Sequence, residues 1–197
     1  MSRMTVRGVL NVLADEGLLH RVPGKGTFVS EPKIATKSPA YQGIRQQLED
    51  RGYTTQTELL SFDLVAAPDT IADFFGIPKK SPVYQISRRR FLEGKPVTIH
   101  RSWVGADLAP SLDRFDVVAR QLCEVLSTEF ALNVKNTDES LEVILASEKE
   151  AGLLGAEPGA PLLKLVDQLR DERGRRYEYT NLLMRSDRMK LEFHFES

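Results

Sequence analysis

Four alternate residues of one short run, Tyr84, Ile86, Arg88 and Arg90, have the most chemistry to offer. Alternate side chains of a strand share a face, so this face begins apolar and ends in two guanidiniums. Unpaired buried charge is costly, and arginine suits bidentate contact with a carboxylate or phosphate. The returning run puts Ile99, Arg101 and Trp103 on one face and Thr98, His100 and Ser102 on the other. Further on, Glu178 and Thr180 share a face with Leu182 and Met184, which adds a carboxylate and a hydroxyl. The residues alone leave two readings open. One is a solvated, edge-protecting strand in which Glu178 pairs with an arginine; the other is the wall of a site for a small anion. His100 reads as a satisfied strand residue, and Cys123, on an apolar helical stripe, reads as core.

A second set stands at the start of the chain. With Ser2 as N-cap, Val6, Val9, Leu10 and Leu13 fall on one helical stripe, and Arg3, Thr5 and Arg7 crowd the first turns. A recognition helix presents that end to base edges and phosphates in the major groove. Gly17 stops the helix. Two β-like runs, residues 18–22 and 27–30, follow around the turn Pro23-Gly24-Lys25-Gly26. Glycine there permits close backbone approach, and Lys25 offers one charge to a phosphate. Ser2, Arg3, Thr5, Arg7, Lys25 and Gly26 are the candidate DNA contacts.

Composition narrows the function classes. The 197 residues, 41% hydrophobic and 28% charged, suit a soluble globular protein of one or two domains. No run of eighteen apolar residues and no secretory leader is present, so a cytoplasmic protein is expected. One cysteine and three scattered histidines give no disulfide and no metal cluster, and no Ser/His/Asp or Cys/His spacing stands out. No cofactor, metal or catalytic set is therefore expected. The net charge is −1, but residues 1–37 hold six Lys/Arg against three Asp/Glu, a basic end on a more acidic body.

The elements that must position these groups follow from pattern. Residues 31–37, polar with a proline and two lysines, read as a linker between an arm at 1–30 and a domain at 38–197. Ser38-Pro39 is expected to open a helix with Tyr41, Ile44 and Leu48 on one face, stopped by Gly52. An extended run over 54–66 follows, and residues 117–130 are helical by period. Between these the chain repeats itself: Phe62-x-Leu64, Ala72-x-Phe74-Phe75-Gly76 and Ser81-Pro82-Val83 recur 79 positions later as Leu141-x-Val143, Ala151-x-Leu153-Leu154-Gly155 and Ala160-Pro161-Leu162. Each unit ends in a long hairpin. Two strand-helix-hairpin units predict an α+β domain of two pseudo-symmetric halves, with a mainly antiparallel sheet and packed helices.

The wording S-R-x-T-V-R, L-x-x-E-G-L-L and G-K-G-T-F-V closely resembles the recognition helix and wing of GntR-superfamily bacterial transcription regulators. Gly8 departs from that pattern, where the family carries a side chain. Residues 38–197 resemble the UTRA ligand-sensing domain of the HutC-type branch, whose fold is like chorismate lyase. The features that carry this are 41–52 with the Thr-rich strand after it, Ile86-Ser-Arg88-Arg-Arg90 with its Glu-Gly-Lys-Pro turn, and Arg185-Ser-Asp187-Arg188 before alternating Leu191, Phe193 and Phe195. The resemblance implies a homodimeric regulator that binds operator DNA and a small anionic or polar effector such as a sugar phosphate or carboxylate. Arg88, Arg90 and Glu178 would line its pocket, with Arg101, Ser102 and Thr180 as further candidates. The family's winged helix has two more helices ahead of this one, which the sequence from Met1 does not carry. An effector-binding fragment without DNA binding is thus an alternative, and a lyase-like enzyme on the same fold another.

Overall fold

The computed structural model describes residues 2–16, 18–22, 24–29, 33–40 and 42–193, in two compact units, Met1–Ile34 and Ala35–Ser197. Gly17, Pro23, Ser30, Tyr41 and Phe195, given roles above as helix stop, turn, strand end, helix face and terminal strand, lie outside the described residues. Among the described residues no helix is long and apolar enough to cross a membrane.

In the first unit, helix α1 (Arg3–Asp15) starts where the cap predicts, with the Thr5 N–H donating to Ser2 Oγ at 3.1 Å. Strands β1 (Leu19–Val22) and β2 (Gly26–Val29) pair antiparallel, and the rings of His20 and Phe28 stack at 5.7 Å. The Arg21 guanidinium of β1 donates to the Asn11 side chain, which ties the wing to the helix. Of the α1 stripe, Leu10 and Leu13 are half-buried while Val6 and Val9 stay exposed.

The second unit runs β3 (Ile34–Thr36), α2 (Ile44–Glu49), β4 (Thr55–Ala66), α3 (Asp69–Phe75), β5 (Pro82–Leu92), β6 (Lys95–Gly105), α4 (Leu122–Phe130), β7 (Asn136–Leu145), α5 (Glu148–Leu154), β8 (Pro161–Arg170), β9 (Arg176–Arg185) and β10 (Met189–Leu191). Six strands form one antiparallel sheet in the order β4-β5-β6-β9-β8-β7. The repeat explains that order. Each half contributes a three-strand blade, and the blades meet where β6 lies beside β9. Leu64 opposes Tyr84 in the first blade, and Val143 opposes Leu163 at the equivalent place in the second. The β6–β9 seam is centred on Arg101 opposite Asn181.

One sheet face carries α3 and α5, each laid across the other half. Leu154 and Ala151 of α5 pack with Ile99 of β6, and the Phe74 ring of α3 meets Tyr179 of β9 at 5.3 Å. Both helices end on a left-handed glycine, Gly76 at φ 67° and Gly155 at φ 58°, a conformation that a side chain would strain. Ser147 and Glu150 form the reciprocal capping box expected at the start of α5. The opposite face is covered by α2, α4 and the turn at Leu112–Arg114, over a core that includes Tyr84, Ile86, Val104, Leu122 and Leu126.

Three expectations differ from the structure. Ser38-Pro39 does not open a helix; α2 begins at Ile44. The Gln47 carboxamide donates to the carbonyls of Lys37, Ser38 and Gln42, and Ser38 Oγ accepts from the Ala40 N–H, so side chains hold this stretch as a loop. The helix read over 117–130 begins at Leu122, because Asp116 Oδ1 accepts the N–H groups of Val118 and Ala119 at 2.9 Å each and turns the chain. Within the stretch read as linker, β3 forms a two-stranded ribbon with β10, where the Glu192 N–H donates to the Thr36 carbonyl at 2.8 Å.

Candidate functional site

Strand register builds a cavity on the α2/α4 face of the sheet. Arg88 opposes His100, Ser102 opposes Thr180, and Thr180 opposes Asp167, so all five project to the same side. Arg90 and Glu178 lie two residues along on their strands. The space they line is small, about 50 Å³. Arg88 is 3% exposed and Arg90 5%. Arg88 Nη2 donates to Ser102 Oγ at 3.1 Å; Ser102 Oγ and Thr180 Oγ1 are 2.7 Å apart; Thr180 Oγ1 donates to Glu178 Oε1 at 2.8 Å. Two hydroxyls thus link a guanidinium to a carboxylate. Arg90 Nη1 reaches Thr57 Oγ1 of β4 at 3.3 Å.

The starts of α2 and α4 close the cavity, bringing Gly43, Ile44, Gln121, Leu122 and Cys123 over it. Gly43 has ordinary backbone angles, and its value is room. A Cβ there would stand 2.4 Å from Gln121 Oε1 and 3.7 Å from Cys123 Sγ.

Electrostatics divide the cavity. Burial lowers the affinity of both guanidiniums for their protons, and for Arg90 repulsion from Arg88 and Arg45 adds to it, pulling it to about 9. At about 9, Arg90 stays charged at neutral pH. Burial, then Arg90 and Arg88, hold the His100 imidazole well below its ordinary range, so it is neutral, and it shares a hydrogen bond with Thr98 Oγ1 at 3.1 Å. On the other side burial raises Glu178 against the pull of Arg88. Burial with Glu139 and Glu178 nearby pushes Asp167 up to about 8. Arg88 Nε, Arg90 Nε, Asp167 Oδ1 and Gln121 Oε1 are buried without a hydrogen-bond partner. Buried polar atoms are ordinarily paired, and all four of these residues line the one cavity.

Five of the six residues predicted for an effector come together here: Arg88, Arg90, Ser102, Glu178 and Thr180. Arg101 does not. It opposes Ser87 and Asn181 on the α3/α5 face, as its odd position on β6 requires, and its charge acts on Glu150 of α5. Cys123 is not core; it is exposed at the cavity, because α4 turns its Val125 and Leu126 side inward. His100 is both a bonded strand residue and part of the lining. Asp167 and Gln121 were missed. The 79-residue repeat held the signal for Asp167, which stands in the second half where Arg88 stands in the first. Nothing local marks Gln121. Among the described residues no cluster of His, Cys, Asp and Glu could hold a metal ion.

The first unit presents the other candidate set. Arg3, Arg7, Lys25 and Gly26 are exposed, and Arg3, Arg7 and Asn11 follow one another at single-turn spacing on α1. The Ser2 and Thr5 hydroxyls lie 3.0 Å apart and are engaged in the cap, so their share in any DNA contact competes with it. Gly26, at φ 119°, shapes the tip of the wing.

Comparison with known proteins agrees with both units. Residues 50–190 match the UTRA domain family, and residues 1–29 match the bacterial regulatory proteins of the gntR family. The chain is 29% identical over 188 residues to the HTH-type transcriptional repressor NagR of Bacillus subtilis, covering 95% of this chain and 77% of that one. It is 25% identical over 191 residues to a probable fructoselysine utilization operon transcriptional repressor of Shigella flexneri, covering 97% and 78%. Among solved structures, PhnF from Mycobacterium smegmatis superposes with a TM-score of 0.79 at 25% identity, over 100% of this chain and 86% of that one. With a family match over most of its length, the chain belongs to the UTRA domain family, and the stretch ahead of that domain, residues 1–29, matches the gntR family.

Proposed function

We propose that this chain is a metabolite-responsive transcription regulator whose second unit binds a small anionic effector at Arg88 and Arg90. The observation that carries the reading is the pair of buried guanidiniums, each with an unpartnered Nε, lining one cavity with Ser102, Thr180 and Glu178. A phosphate or carboxylate would complete their hydrogen bonds. Operator DNA is read by α1 and the wing, with Arg3, Arg7 and Lys25 on phosphates and base edges. The relatives named above are transcriptional repressors, which supports regulation over a lyase-like enzyme and a cytoplasmic place of work. One relative's name ties it to use of a sugar derivative, which favours sugar phosphates and carboxylates as first candidates.

The unit works as a homodimer joined through β7, whose Leu141, Val143 and Leu145 expose an apolar stripe on an edge strand. Effector binding shifts the balance between dimer states that present two wings differently to two half-sites. By linkage, DNA changes effector affinity by the same factor.

A panel of sugar phosphates and sugar carboxylates, screened by thermal shift, tests the site. Binders should lose about tenfold or more in affinity in Arg88→Met, because a charge-assisted bond is lost. Equal binding by the variant would sink the reading. A second reading, an effector-binding chain that does not itself hold DNA, is favoured by Val6, Val9 and Val12 of α1 being exposed. Fluorescence anisotropy on DNA from upstream of the gene decides between them: steep salt dependence with sequence preference supports the regulator, and its absence supports the fragment.

A further inference from the structure

The two halves of the sheet bring opposite charges to one cavity. Arg88 on β5 opposes His100, and at the equivalent place on β8 Asp167 opposes Thr180. Arg90 opposes Thr98, and its equivalent, Leu169, opposes Glu178. The first half therefore supplies cations and the second half carboxylates, on either side of the β6–β9 seam. Asp167 is 3% exposed and lines the cavity. One of its oxygens is engaged with Glu139, which also accepts from Ser38 Oγ, while Oδ1 has no hydrogen-bond partner.

We propose that Asp167 and Glu178 form a second pole of this cavity that binds a protonated amine, so that the ligand is a small amphoteric molecule with an anion at one end and an ammonium at the other. The inference rests on the reading that Arg88 and Arg90 hold the anion. The groups acting on Asp167 are Glu139 on β7 and Glu178 on β9, both acidic, while the cation Arg88 acts on Glu178. An ammonium placed between Asp167 Oδ1 and Glu178 would supply the missing donor and the missing charge together. A hydroxyl would supply only the donor. Arg88 on β5 and Asp167 on β8 lie on the strands that flank the β6–β9 seam, with Glu178 on β9 between them, so a ligand must reach across the seam to satisfy both. A plain inorganic anion would satisfy one.

Isothermal titration calorimetry on the full chain at pH 8.5, where Asp167 is ionised and the probe amines are still protonated, tests this with matched probes. Phosphoethanolamine is compared with 2-hydroxyethyl phosphate, and β-alanine with 3-hydroxypropionate; each pair differs only in ammonium against hydroxyl. The amine partner should bind about tenfold tighter or more in at least one pair, the size of a charge-assisted hydrogen bond. Asp167→Asn should bring that pair to equal affinity while both members still bind. A hydroxyl partner that binds as tightly as its amine in both pairs overturns the acidic pole and leaves the arginine pole standing. A preference for the amine that survives Asp167→Asn overturns the role of Asp167. No heat from any of the four probes overturns the arginine reading and this one together. The comparison on the unaltered chain needs no variant, so it holds even where Asp167→Asn folds poorly.

Discussion

A carboxyl group inside the cavity makes the chain's stability depend on pH in a particular direction. Burial and its acidic neighbours raise Asp167 from 3.8 to about 8 in the folded state. Between those values the folded chain holds a proton that the unfolded chain has released. The resulting stabilisation is fully present below the unfolded value and is lost as pH rises through about 8. Asp167→Asn removes the titration, so the variant should melt a few degrees above the parent at pH 9, with the gap closing toward pH 5, by differential scanning fluorimetry. The same group shapes binding. An ammonium guest needs Asp167 ionised, so phosphoethanolamine affinity should climb with pH up to about 8 and then level, while that of 2-hydroxyethyl phosphate should not climb with it. His100 contributes nothing to either profile near neutrality, since it is already neutral there.

At the scale of elements, helix ends and strand parity decide what the cavity contains. Removing the Ser147 hydroxyl unties the capping box at α5, and Ser147→Ala should cost about 1 kcal/mol in urea unfolding. That helix covers the face away from the cavity, so ligand affinity should stay unchanged. Parity was legible in the sequence for β5, β6 and β9, because alternation alone put Arg88 with Arg90, His100 with Ser102, and Glu178 with Thr180. It also placed Arg101 opposite them, and only the family resemblance drew that residue into the candidate set. What the sequence concealed were positions set by side chains acting on backbone. The Gln47 carboxamide ties down the carbonyls of Lys37, Ser38 and Gln42 ahead of α2, and the Asp116 turn delays α4 to Leu122, which together carry Gln121 and Cys123 to the cavity. No periodicity reports such tertiary bonds.

For the molecule as a whole, oligomeric state and DNA binding are the quantities to measure. Val143 and Leu145, 65% and 71% exposed on the β7 edge, are the proposed dimer contact. Val143→Glu should convert dimer to monomer in sedimentation velocity, with effector binding kept. The global plan was visible in advance through the 79-residue repeat, since helix, glycine, proline and hairpin recur in the same order. That repeat foretold two halves and an antiparallel sheet. It did not reveal which strands would meet at the centre, because β6 and β9 carry no pairing signal in sequence beyond their shared apolar character.

The β6–β9 seam also has a kinetic side. Within each blade every pairing joins strands near one another along the chain, whereas the seam joins Arg101 to Asn181 across about half of the second unit. Contacts of long sequence separation carry a large closure entropy and form late. The blades should therefore gather first and dock afterwards. In pulse-labelled hydrogen exchange during refolding, amides of β5 and β8 would gain protection before those of β6 and β9 that face each other. Docking must bring the arginine-bearing blade against the carboxylate-bearing one, so their attraction guides the last step. A mutant chain with like charges on both blades would collapse normally and then stall at the join.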